Sequence, residues 1–151
     1  MRYLPLLILA LLLPTKPLFA AATDDVVVIV NSDNPSSVLS KSALARIYRN
    51  NQLQWDWGGP VIIYDLMPSN PVREHFSDEI LGTSASRIAE RWAHLKITNQ
   101  AVNPPIELRS EWMIIRRVSQ QRNAIGYVSS GMLQNAESAN VKVLYTIHQS
   151  E

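Results

Sequence analysis

The chain contains no cysteine, so its fold depends on neither disulfides nor a thiolate metal site, and lipid attachment through a cysteine at a processing site is excluded. Its three histidines, His75, His94 and His148, stand apart, without the i, i+4 pairing or cysteine partners of a zinc site, and no metal or cofactor is expected. Glycine is scarce, with five residues, and none builds a phosphate-cradling loop or a G-x-S-x-G elbow. No Ser-His-Asp set and no carboxylate pair beside a histidine has supporting spacing, so no catalytic residue is assigned and the chain is read as a non-enzyme. Neither sign of charge prevails, with 14 Lys and Arg against 13 Asp and Glu. That balance lacks the clustered basic face of a nucleic-acid binder.

Long apolar runs are also missing. The longest, Leu4 to Leu13, falls short of the roughly 20 residues that span a bilayer. It follows Arg2 and precedes Pro14, Pro17 and the small residues Ala20-Ala21-Ala22, which together read as a secretory signal peptide over residues 1–22, cleaved after Ala22 or alternatively after Ala20. Residues 23–151, 151 less 22 or 129 residues, suit a single domain exported to the periplasm or secreted, not itself membrane-spanning. Loss of Arg2 and Lys16 leaves 12 positive against 13 negative side chains. Stability must then come from apolar burial, for which four tryptophans and many Ile, Val and Leu provide the material.

VVVIV at 26–30 is a continuous β-branched run, as expected of a strand covered on both faces in a parallel sheet. Ser40 caps a helix near 41–49, and VIIY at 61–64 forms a second buried strand after the Gly58-Gly59-Pro60 turn. Val72, Phe76 and Ile80 recur at four-residue spacing, predicting a helix over 71–81 that stops at Gly82. Ser84 or Ser86 opens another, with Ile88, Trp92 and Leu95 inward. Residues 96–109 have no period and read as an ordered loop. Ser110 with Glu111 opens a helix to about Gln121 that directs Trp112, Ile115 and Val118 to the core. AIGYV at 124–128 and VKVLY at 141–145 supply two more strands, the last suited to an edge. Strands alternating with helices predict an α/β domain with a mainly parallel sheet flanked by helices, whose ligands bind beyond the carboxyl ends of the strands.

DLMPSNPVREHF, residues 65–76, lies at such a strand end. Pro71 suits the first helical position and Asn70 before it is a good N-cap. An arginine in the next turn opposes the helix dipole, whereas an anion docked there would favour it. Ser69, the side chain of Asn70, the amide of Val72 and the guanidinium of Arg73 are therefore the candidate anion-binding groups, suited to phosphate or sulfate. The alternative is an ordinary capped helix whose arginine is solvated or pairs with Asp65, Glu74 or Asp78.

Five blocks in order, VVVIVNSDNPSSVLSKSALARIYRN, the tryptophan turn before VIIYD, SNPVREHFSDEILG, RWAHLKITNQAVNPP and NAIGYVSSG, make the chain resemble the small single-domain phosphate-binding-protein-like (PBP-like) group of periplasmic solute-binding proteins. These proteins are similar to one lobe of the phosphate receptors of ABC importers. The resemblance implies a lobe of type II periplasmic binding protein kind and a small oxyanion, typically phosphate, as ligand. The large receptors use a Ser-Gly-Thr turn at a helix start, with an arginine four residues earlier. Ser69 matches the serine; Asn70 and Pro71 replace the other two, and Asp65 stands where the arginine is expected. Arg73 matches a serine-to-arginine spacing associated with the small members.

Asn31, Ser32, Asp65, Gly126 and Tyr127 are further candidates for lining the same crevice. As structural residues, the first two would be turn formers, Gly126 a close-packing position and Tyr127 a half-buried strand residue. Trp55 and Trp57 could form a sugar-stacking platform or a turn that buries one indole. Arg116 and Arg117 read as a solvated helix face. Two functions follow: an exported solute-binding protein for phosphate or a similar oxyanion, or a degenerate binding lobe kept as a sensory or accessory partner of a membrane signalling or transport protein.

Overall fold

A computed structural model describes residues 24–136 and 139–149. The expected signal peptide at 1–22 and both expected cleavage positions lie outside the described residues. The element order is β1 (Val26–Asn31), α1 (Lys41–Tyr48), β2 (Ile62–Leu66), α2 (Pro71–Phe76), a π-helical turn at Ser77–Leu81, α3 (Ala85–Ile97), β3 (Ile106–Leu108), α4 (Glu111–Gln120), β4 (Ala124–Ser129), α5 (Ser130–Gln134) and β5 (Val141–Ile147). Local chemistry sets the boundaries. The hydroxyls of Ser40, Ser84, Ser110 and Ser129 and the amide oxygen of Asn70 each accept from a backbone N–H in the first turn of the helix that follows. Gly82, with φ of 65°, ends the π-helical turn in the left-handed region.

The sheet order is β3-β2-β4-β1-β5. Strand β2 pairs in parallel with β3 and β4, whereas β1 runs antiparallel to β4 and β5. The sheet is therefore mixed, with four strands in one direction and β1 against them. The expectation of a mainly parallel sheet holds in part, for β2 with its two neighbours, and fails at β1, because a continuous β-branched run reports burial on both faces and carries no information about direction. All six residues of β1 are buried.

Helices cover both faces of the sheet. On one face Gly126 admits α4: a Cβ there would lie 2.5 Å from Cγ2 of Ile114. Ile114, Ile115 and Val118 are fully buried beneath that helix. On the other face Tyr127 stacks on Phe76 with ring centroids 3.9 Å apart, and Phe76 meets Tyr48 edge-on at 4.7 Å, so α1 and α2 close that layer.

Three sequence expectations change. Residues 106–108 are a short edge strand pairing with Tyr64–Leu66, not loop; three residues are too few to show a period. Residues 130–134 form a further short helix. Trp112 points away from the core at 56% exposure. Each helical residue advances about 100°, and the buried arc centres on Glu111, Ile114, Ile115 and Val118, which leaves Trp112 on the flank. Glu111, brought inward, accepts the Ser129 N–H.

Candidate functional site

Strand β2 continues past Tyr64 through Asp65 and Leu66, so Asp65 is a buried strand residue rather than a turn residue. Alternation along the strand sends Tyr64 to the α4 side, near Gly126, and Asp65 to the opposite side, toward Tyr127 and α2. A carboxylate buried there needs partners. Its Oδ1 accepts from the Tyr127 hydroxyl and from the Leu66 N–H, the latter at 2.9 Å. Its Oδ2 lies 3.2 Å from Nη2 of Arg73.

Arg73 is the largest fully buried side chain among the described residues, at 1% exposure. Besides Asp65, its Nη1 donates to Glu107 Oε1 at 2.8 Å and to the Leu66 carbonyl. Glu107 comes from β3, which pairs with β2 in a register that sets Glu107 opposite Asp65. One guanidinium thus joins β2, β3 and α2. Burial raises the Asp65 pKa above its ordinary value, against the opposing pull of Arg73 and the Tyr127 hydrogen bond. Burial, then the Asp65 charge, pushes the Tyr127 hydroxyl well above the ordinary tyrosine range, which keeps it a hydrogen-bond donor. Arg73 Nε is buried without a hydrogen-bond partner among the described residues.

The helix start divides the remaining candidates. The Val72 N–H is taken by Asn70 Oδ1 at 2.9 Å, and the Asn70 N–H by the Met67 carbonyl. Ser69 is exposed at the turn. Ser69, Asn70 and Val72 therefore surround the corner, while the guanidinium of Arg73 faces inward to carboxylates. An open crevice beside this corner is lined by Asp24, Pro71, Val72, His75, Ser129 and Gln149, without an arginine or lysine.

Tyr127 and Asp65 belong to the buried network, Tyr127 being fully buried rather than half-buried. Gly126 faces α4 on the other side of the sheet. Asn31 and Ser32 lie at the opposite end of the sheet from Ser69, because β1 runs backwards: Asn31 pairs with Val141 at the start of β5, and Val30 with Ile125 near the start of β4. Asn31 Nδ2 there donates to the carbonyls of Val118 and Ser119. Trp55 is buried, with Nε1 donating to the Asn123 carbonyl, and Trp57 is covered by the Arg122 guanidinium 5.0 Å above its ring.

The residue missed in the sequence is Glu107. Its only signal was the demand of a buried Asp65–Arg73 pair for a further acceptor, and it sat in a stretch without a period.

Comparisons with known proteins place the fold. No family model and no curated protein matches the chain. Among solved structures, an ABC-type phosphate transport receptor from Vibrio cholerae superposes with a TM-score of 0.61 at 19% identity, covering 82% of this chain and 46% of that one. PstS from Borrelia burgdorferi gives 0.64 at 17% identity, covering 82% and 47%. A candidate phosphate ABC transporter substrate-binding protein with bound phosphate from Clostridium perfringens gives 0.57 at 18% identity, covering 85% and 57%. The chain spans about half the length of the receptors it matches, as one lobe of such a protein does.

Proposed function

We propose that this lobe of phosphate-receptor type acts as an exported accessory or sensory partner of a membrane transport or signalling protein, with residues 23–151 as its one domain after signal cleavage. The observation that carries this reading is the pairing of Arg73 with Asp65 and Glu107. An oxyanion arriving at Arg73 would meet two carboxylates and would have to displace at least one of them from a buried guanidinium. The corner where a receptor would hold its ligand is held together by the protein's own anions.

The rest of the molecule agrees with such a role. The neighbouring crevice is lined by the Asp24 carboxylate and by no arginine or lysine. No helix among the described residues is long and apolar enough to cross a membrane. The structural neighbours are named as binding and transport proteins rather than enzymes.

The second reading, capture of phosphate or sulfate by Ser69, Asn70, Val72 and Arg73, is favoured by one observation: Arg73 Nε has no acceptor among the described residues, which leaves one N–H of the guanidinium unused. Calorimetric titration of residues 23–151 with phosphate and with sulfate separates the two. The accessory reading expects no saturable heat from either anion, together with cross-linking in envelope preparations to a transport or sensor protein. Saturable phosphate heat from a chain that cross-links to nothing overturns it.

A further inference from the structure

We infer that the outer face of α4 is a docking surface for an acidic segment of a partner protein. Helix α4 turns Ile114, Ile115 and Val118 onto the sheet, and this fixes what its other side shows to solvent. There Trp112 and Met113 are exposed at 56% and 37%, followed by the exposed Arg116 and Arg117. Met113, Arg116, Arg117 and Gln120 line one cleft, so the two arginines border a concavity in which Met113 is the apolar lining residue.

The charge of this face is unbalanced. Neither Arg116 nor Arg117 pairs with a carboxylate among the described residues. Glu111, the one acid of the helix, is spent on the Ser129 N–H. Arg109, also exposed, adds a third cation just before the N-cap. A chain whose overall charge is nearly balanced thus gathers unpaired cations beside an exposed indole and thioether. Arginine and tryptophan are the residue types that dominate binding energy at protein interfaces, and guanidinium forks take carboxylates two bonds at a time.

An acidic peptide segment with an apolar anchor is the occupant this chemistry fits. A membrane surface fits less well: the apolar face of α4 is already buried against the sheet, and Trp112 and Met113 alone supply little area to enter a headgroup layer. The inference deepens the accessory reading and rests on it, but fails separately from it, because a partner captured through another face would preserve that reading and remove this one.

The test uses residues 23–151 and a fluorescein-labelled synthetic peptide carrying Glu residues around a central Leu, with phosphatidylglycerol vesicles as a second arm. The expected result is saturable peptide binding that weakens as salt is raised. Arg116→Glu with Arg117→Glu should weaken it at least tenfold, Trp112→Ala should weaken it also, and Arg91→Glu on exposed α3 should leave it unchanged. Unchanged thermal melting shows that the exposed substitutions spare the fold. No saturable peptide binding, equal binding by the reversed and native chains, or binding to vesicles in preference to the peptide each overturns the inference.

Discussion

Arg73 combines full burial with a permanent positive charge, and it remains buried because three acceptors surround it: Asp65, Glu107 and the Leu66 carbonyl. The two acids differ in weight. Asp65 is buried and Glu107 is partly open, at 36% side-chain exposure, where solvent screens the pair. Removing a buried partner leaves an uncompensated charge, so Asp65→Ala should cost about 3–5 kcal/mol, whereas Glu107→Gln should cost about 1 kcal/mol or less. Urea unfolding of the two variants checks the order; equal costs would contradict the ranking and show that Glu107 weighs as much as Asp65.

A second residue-scale prediction concerns Asp25, whose carboxylate accepts the Gln149 N–H at 3.1 Å and meets His148 Nδ1 at 2.9 Å. The Gln149 bond first, and the His148 bond next, lower its pKa below 3.8. A lowered acid contributes stability that is fully present above its unfolded value and is lost as pH falls through the folded one. The clasp between β1 and the chain after β5 should therefore hold above about pH 4 and open progressively below it. The protection of the Gln149 amide against hydrogen exchange, relative to the intrinsic rate at each pH, should fall in that window in the native chain and show no such step in Asp25→Asn.

At the scale of elements, the close approach of α4 to the sheet depends on Gly126. A Cβ at that position would lie 2.5 Å from Ile114 Cγ2, and the contact is between a strand and a buried branched side chain, neither of which gives easily. Gly126→Ala should destabilise by about 1–3 kcal/mol, and by less in an Ile114→Leu background, where the branching methyl is gone. Thermal melting of the single and double variants decides; additive losses would place the strain elsewhere. The elements themselves were legible where a cap met a period: Ser40, Asn70, Ser84 and Ser110 all start the helices their sequence positions suggest. What escaped was short or rotational. Strand β3 has three residues and α5 five, each below the length at which periodicity speaks. In α4 the i, i+3 series Trp112, Ile115, Val118 drifts around the helix, so its first member left the core.

At the scale of the whole molecule, the antiparallel course of β1 decides which candidates can meet. The turn after β1 carries Asn31 and Ser32 to one end of the sheet, while the turns after β2 and β4 gather Ser69, Asn70 and Ser129 at the other. Strand direction is set by pairing between distant segments, which no local pattern in VVVIV encodes. The corner at the start of α2 was legible as a cluster of residues. Its chemistry was not, because the partners that claim Arg73 come from 8 residues before it and 34 after it, at Asp65 and Glu107. The similarity to one lobe of the phosphate transport receptors gives the frame, and the internal carboxylates determine what the frame presents.

The most direct test of that claim is a phosphate titration of isotope-labelled residues 23–151 followed by NMR at the Arg73 Nε–H and the Ser69 and Arg73 amides. With Arg73 committed to Asp65 and Glu107, these resonances should stay where they are throughout the titration. A saturable shift of the Arg73 Nε–H together with the Ser69 amide would contradict the account and return the corner to use as an oxyanion site.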